Sequence, residues 1–369
     1  MKKLLYACPV KSIPVFTLKF ATIMQYTTLG NTNLKVSKIC LGTMTYGEQN
    51  TEAEGHEQMD YAVANGINFF DTAEMYSIPP RPETQGSTER IIGTWLKSRG
   101  GRERVIIATK VVGPSPAMRH IRNPLRINRE QITQAVEGSM QRLQTDYIDL
   151  YQIHWPERHT NYFGRRGYVH DTTDTWQDNF LEHLETMHDL IQAGKIRYWG
   201  VSNETPWGLM RLLYLADRHG VPRCVSIQNP YNLLNRTFEI GLAEIAIREQ
   251  TGLLAYSPLA FGTLSGKYMQ GTDRPKDRLN RFKQYTRYNN PQAQQALRQY
   301  LQAAEAHGLS LTQMALAFVN SRPFVTSNII GATNMFQLQE NIDSIHQILP
   351  AEVLQAIEAV HQAIPDPAP

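Results

Sequence analysis

Ile67-Asn68-Phe69-Phe70-Asp71 is an apolar run too short for a helix, preceded by Asn65-Gly66 and ending on a carboxylate. The Asn-Gly pair reads as the C-cap of a foregoing helix. The apolar residues do not alternate with polar ones, which is the pattern of a parallel strand covered on both faces. Working outward, runs of the same kind occur at 39–43 (ICLGT), 105–110 (VIIATK), 148–154 (IDLYQIH) and 196–202 (IRYWGVS). They continue at 224–229 (CVSIQN), 252–257 (GLLAYS) and 328–332 (NIIGA). Between them lie amphipathic stretches with helical spacing, such as Ile132, Val136, Met140 and Leu143, or Leu181, Leu184, Met187 and Ile191. Ala193-Gly194 and His219-Gly220 repeat the C-cap signal. Eight strand–helix units predict an α/β chain closed into a (β/α)8 TIM barrel. An open doubly wound sheet is disfavoured because no GxGxxG follows a strand.

Several segments fall outside the eight units. Tyr26–Leu29 and Leu34–Val36 flank the turn-rich Gly30-Asn31-Thr32-Asn33, which predicts an N-terminal β-hairpin. Two extra helices are expected, at 291–307 and near 350–363, and the long stretches 77–88, 155–177 and 259–290 are expected as loops at the barrel mouth. Trp155, Tyr162 and Phe163 are candidate aromatic walls there. Residues 1–23 imitate a signal peptide, but Lys11 interrupts a short apolar run. They read as an N-terminal extension or an alternative start, with the barrel domain spanning 24–369.

Of the 369 residues, 37 are basic and 34 acidic, mixed along the chain, so no block marks a nucleic-acid or membrane footprint. Cys8, Cys40 and Cys224 form neither a disulfide framework nor a metal-ligand pattern, and a reducing, cytoplasmic setting is expected. His183 and His188 lack the HExxH spacing, so no metal is expected. The sequence leaves homo-oligomerisation open.

Three consecutive strands end on ionisable residues: Asp71, Lys110 and His154. Tyr76 follows Asp71 in the same loop. Each alone has an ordinary explanation, such as Asp71 capping a helix. In a barrel, adjacent strand ends share one mouth, so all four side chains can meet. A tyrosine near pKa ~10 donates poorly at neutral pH, and a neighbouring ammonium is expected to lower that value. The aspartate would hold the ammonium, and the histidine would bind a carbonyl oxygen. Such a group gives a proton to a carbonyl but has no hydride, which implies a cofactor.

The motifs Asp71-Thr72-Ala73-Glu74-Met75-Tyr76, Thr109-Lys110 and Gln152-Ile153-His154-Trp155-Pro156 resemble, in order and context, those of the aldo-keto reductases. Gly200-Val201-Ser202-Asn203 and Gln228-Asn229 extend the likeness. The insertion 78–86 and Leu233-Leu234-Asn235-Arg236 resemble the bacterial Tas branch, which is close to the potassium-channel β subunits. The resemblance implies that Asp71, Tyr76, Lys110 and His154 are the catalytic tetrad of an NADPH-dependent reductase acting on a small-molecule aldehyde or ketone. It implies that Ser202, Asn203 and Gln228 hold the nicotinamide and that Tyr256 stacks on it. Ser257, Pro258, Leu259, Gly262, Leu264 and Lys267 would wrap the pyrophosphate. Gly331, Thr333, Gln337, Glu340 and Asn341 would take the adenosine end. Gly331 and Gln337 carry no charge for a 2′-phosphate, so NADPH is placed ahead of NADH by the resemblance alone. Gly262–Tyr268 falls one residue short of a phosphate loop and lacks its hydroxyl. Two rivals remain: a Schiff base on Lys110, and an NADPH-binding sensor or regulatory subunit with little turnover.

Overall fold

The computed structural model describes residues 24–269 and 275–369; the expectation for residues 1–23 lies outside the described residues. Strands β1 (Tyr26–Thr28) and β2 (Lys35–Ser37) form the expected antiparallel hairpin. Eight further strands close a barrel: β3 (Ile39–Gly42), β4 (Phe69–Asp71), β5 (Ile106–Val111), β6 (Ile148–Ile153), β7 (Ile196–Ser202), β8 (Ser226–Pro230), β9 (Gly252–Tyr256) and β10 (Val325–Ile330). All are parallel, each pairs with its neighbour in sequence, and β10 returns to β3 through Asn328↔Ile39.

The connecting helices are α1 (Glu52–Ala64), α2 (Ser87–Arg99), α3 (Arg129–Leu143), α4 (Phe180–Gln192), α5 (Pro206–His219) and α6 (Phe238–Arg248). After β9 come the short α7 (Arg278–Arg281), α8 (Pro291–Ala306) and α9 (Leu311–Asn320); α10 (Met335–Asp343) and α11 (Ala351–Ala363) follow β10. Helices α8 and α11 are the two predicted extras. Gly66, Gly194 and Gly220 take positive φ at helix ends, as their pairs predicted. The buried stripe of α4 runs through Phe180, Leu184, Met187 and Leu190, one position off the expected Leu181 and Ile191.

The last strand departs from its predicted 328–332. Val325-Thr326-Ser327 opens it, and Gly331-Ala332-Thr333 lies beyond its end. A polar start was not anticipated for a buried strand. Here Ser327 Oγ donates to Ser37 O (2.7 Å) and Asn328 Nδ2 to Asn320 Oδ1 (2.8 Å), which meets both donors internally while Asn328 Oδ1 stays buried without a partner.

The hairpin is the barrel's floor. Leu29, Leu34 and Val36 pack with Cys40, Phe69, Ile106, Ala108, Leu150, Leu254 and Ile329 in a single apolar plug. The floor lies at the strand N-termini, so the opposite rim, formed by the strand C-termini and long loops, is left to carry a site.

Candidate active site

The rim is built from polar strand ends. Register sets Asp71 opposite Gly42 on one side and Ala108 on the other, while Lys110 pairs with Gln152. Lys110 is wholly enclosed, its side chain at 0% exposure. Its Nζ donates to Asp71 Oδ2 (2.7 Å) and to the Thr72 carbonyl (2.7 Å). Asp71 Oδ1 accepts from Gln228 Nε2 (2.8 Å), reaching across the barrel from β8. Asp71 therefore caps no helix; it holds an ammonium in the core.

Tyr76 and His154 stand edge to face, ring centroids 5.7 Å apart. Lys110 Nζ lies 5.1 Å from the centroid of the Tyr76 ring. All four predicted tetrad residues are thus brought together at one end of the barrel. The expected lowering of the Tyr76 pKa is not found. Burial pushes the phenol up, the Asp71 charge adds to this, and Arg278 opposes it too weakly to win. Burial, reinforced by the Lys110 charge, holds the His154 imidazole well below the usual histidine range, so it is neutral near pH 7.

The loop bearing Tyr76 is clamped from behind. Glu74 Oε1 accepts from Val112 N (2.7 Å), and Arg122 grips both Glu74 oxygens (2.9 and 2.5 Å). A further clamp lies beside Asn203: buried Arg158 meets Glu204 through two contacts while its guanidinium lies 5.0 Å from the Trp207 ring centroid. Sequence reading missed Arg122, Arg158 and Glu204, and gave Glu74 no role beyond its place in a motif. No local pattern betrays pairs separated by 48 or 46 residues.

The rim opens into a cleft of about 1110 Å³ that holds Tyr76 and His154 together with Ser202, Asn203, Gln228 and Tyr256. The same cleft reaches Ser257, Pro258, Leu259, Gly262, Lys267, Gly331, Thr333, Gln337, Glu340 and Asn341, whereas Leu264 is buried behind it. The expected aromatic walls line it too: Trp155, Tyr162 and Phe163 form a chain of ring contacts. Gly113 makes room for them, since a Cβ there would lie 2.3 Å from Trp155 Nε1.

Several candidate cofactor residues are braced to the tetrad or to one another. Asn203, at φ 54°, donates to the His154 carbonyl (2.9 Å) and accepts from Tyr256 Oη (2.6 Å). Ser202 Oγ donates to the Gln228 carbonyl (2.7 Å). Lys267 pairs with Asp277 (3.1 Å). At the far end Gln337 Oε1 accepts from Thr333 N (3.0 Å), Glu340 Oε1 from Ser310 Oγ (3.1 Å), and Asn341 Nδ2 donates to Gly331 O (3.0 Å). The segment 257–262 turns through positive φ at Ser257, Ala260, Phe261 and Gly262, unlike a phosphate loop running into a helix. A cleft that gathers hydroxyls and amides, a lysine and residues of a helix N-terminus suits a dinucleotide.

No helix among the described residues is long and apolar enough to cross a membrane. The chain matches the model of the aldo/keto reductase family over residues 38–362. It is 53% identical over 352 residues to Protein tas of Escherichia coli (strain K12), covering 94% of this chain and 100% of that protein. It is 33% identical to the uncharacterized oxidoreductase YrpG of Bacillus subtilis (strain 168), over 91% of this chain and 96% of that one. A probable voltage-gated potassium channel subunit beta of Arabidopsis thaliana is 30% identical, over 93% and 98%.

Proposed function

The chain belongs to the aldo/keto reductase family, and on that premise we propose that it reduces an aldehyde or ketone carbonyl with NADPH, Tyr76 giving the proton. The observation that carries this reading is the enclosed Lys110–Asp71 pair (2.7 Å) beneath the facing rings of Tyr76 and His154. When bound, the dihydronicotinamide supplies a hydride to the carbonyl carbon. The chain's own residues supply the rest. Tyr76 Oη gives its proton to the carbonyl oxygen, so hydride plus proton make the alcohol. His154, neutral, hydrogen-bonds the same oxygen and aims the carbonyl.

Burial makes the Tyr76 phenol a weaker acid than an ordinary tyrosine, but it can still donate in this direction of the reaction. It remains protonated at neutral pH, and the alkoxide forming on the substrate is far more basic than a phenolate, so the proton moves downhill. The Lys110 ammonium, paired with Asp71 (2.7 Å), then steadies the phenolate. Its two hydrogen bonds and enclosure disfavour the rival Schiff base, which needs an accessible neutral amine.

Ser202, Asn203, Gln228 and Tyr256 would hold the nicotinamide, the 257–267 segment the pyrophosphate, and Gly331 to Asn341 the adenosine. Placement in the cytoplasm, where NADPH abounds, agrees with Cys40 and Cys224, both buried free thiols. Tyr76→Phe is expected to lower turnover roughly 10²–10⁴-fold while leaving NADPH affinity, read by fluorescence titration, nearly unchanged. Affinity collapsing together with turnover would remove Tyr76 from the donor role. Wild type turning over no aldehyde or ketone faster than Tyr76→Phe favours a regulatory NADPH-holding barrel.

A further inference from the structure

The cleft carries more positive charge than its own residues neutralise. Its acidic side chains are engaged: Asp71 with Lys110 (2.7 Å), Asp277 with Lys267 (3.1 Å), and Glu340 with the Ser310 hydroxyl (3.1 Å). Arg287 has none of them. Among the described residues it makes no ion pair, and its Nη1 is buried without a hydrogen-bond partner. A guanidinium cannot shed its charge at any ordinary pH, and a buried N–H with no acceptor carries the cost of its lost hydration. An oxyanion docked there removes that cost.

The surroundings of Arg287 point to substrate. Its guanidinium lies 5.8 Å from the ring centroids of both Phe163 and Tyr288. It also interacts with the hydroxyl of Tyr256, the residue assigned above to the nicotinamide. Lys267, assigned to the pyrophosphate, lies instead against Gly262 and Tyr268. Phe163 belongs in turn to the aromatic chain that reaches Trp155 and, 4.9 Å further on, His154. Arg287 therefore shares a wall with the tetrad, and the aromatic rings beside it strengthen an ionic contact there. Asp366, in the C-terminal tail, forms no ion pair with Arg287; its Oδ1 accepts from Arg236 N (2.5 Å).

We propose that Arg287 binds an oxyanion carried by the substrate, so that preferred substrates are carbonyl compounds bearing a carboxylate or phosphate. This rests on the carbonyl-reduction reading of the same cleft. The test compares short ω-oxo carboxylates and ω-oxo phosphates with alkanals of matching length, using NADPH, wild type, Arg287→Met and Arg287→Lys. Wild type should favour one anionic series over alkanals by at least about tenfold in kcat/KM. In Arg287→Met that ratio should fall roughly 10- to 100-fold, mainly through KM, and Arg287→Lys should restore part of it. Which anionic series is preferred decides between carboxylate and phosphate.

Three results separate the failures. Equal handling of charged and neutral aldehydes by wild type, with robust turnover, overturns the anion site and leaves carbonyl reduction standing. Equal loss on both series in Arg287→Met, with NADPH affinity intact, makes Arg287 structural and likewise overturns it. If no aldehyde turns over, reduction itself falls, and calorimetric titration of the carboxylates into the NADP⁺-bound protein judges the anion site: binding lost in Arg287→Met sustains it, and no binding by wild type ends it.

Discussion

Tyr76 and His154 face one another in a setting that fixes both protonation states. Burial keeps the phenol protonated and the imidazole neutral, and the enclosed Lys110 ammonium adds to the latter. The histidine then titrates well below its usual range, and its protonation contributes no step near neutrality. The pH profile of kcat is accordingly expected to lack an inflection from His154 between about pH 6 and 8. A clear break near pH ~6.5 in wild type that disappears in His154→Gln would show the ring to be solvated and charged. At this scale the sequence was informative where a charge closes an apolar run, as at Asp71, Lys110 and His154. It misled on the acidity of Tyr76, because an ammonium nearby in sequence logic says nothing of how deeply the phenol is buried. Arg287 was invisible for a different reason: an arginine in a long loop looks solvated until the fold places aromatic rings around it.

Elements communicate through a few buried polar contacts. On α4, His183 Nε2 donates to the Ile127 carbonyl (2.7 Å), while Nδ1 is buried without a partner. Burial lowers its pKa to about 4, against roughly 6.5 for an unfolded histidine. Between those values the unfolded chain takes up a proton that the folded chain refuses, so stability rises with pH across the window. The contribution is complete above about pH 6.5 and is lost as pH falls toward 4, roughly 3 kcal/mol in all. His183→Gln is expected to flatten this part of the dependence of the denaturant midpoint on pH; a slope equal to wild type would refute the burial argument. Helices with plain periodicity and glycine caps were legible, whereas the polar start of β10 was not. Ser327 is accommodated inside by Ser37, which lies far away in the chain, and Asn328 by Asn320, while the Thr326 carbonyl accepts from the distant Thr27 hydroxyl.

For the whole molecule, floor and rim divide stability from chemistry. Leu29, at 0% exposure, sits in the plug and does not line the cleft. Leu29→Ala is expected to cost about 2–5 kcal/mol, seen as a lower denaturant midpoint, with kcat of the folded fraction unchanged. A loss of kcat without a loss of stability would contradict that division. The eight-fold alternation made the barrel legible because parallel strands must be apolar and helices must be amphipathic, and both leave periodic traces. The clamps Glu74–Arg122 and Arg158–Glu204 leave none, since each joins loops that meet only after closure. Closure itself has a bearing on how the chain is made. The first barrel strand to leave a ribosome, β3, waits for the last, β10, whose Asn328 pairs with Ile39. Until residue 325 emerges, β3 and β9 are bare edges and the plug lacks Ile329. Nascent or truncated chains are therefore sticky open sheets awaiting a partner, and protection during synthesis matters more to this protein than to one built from local contacts.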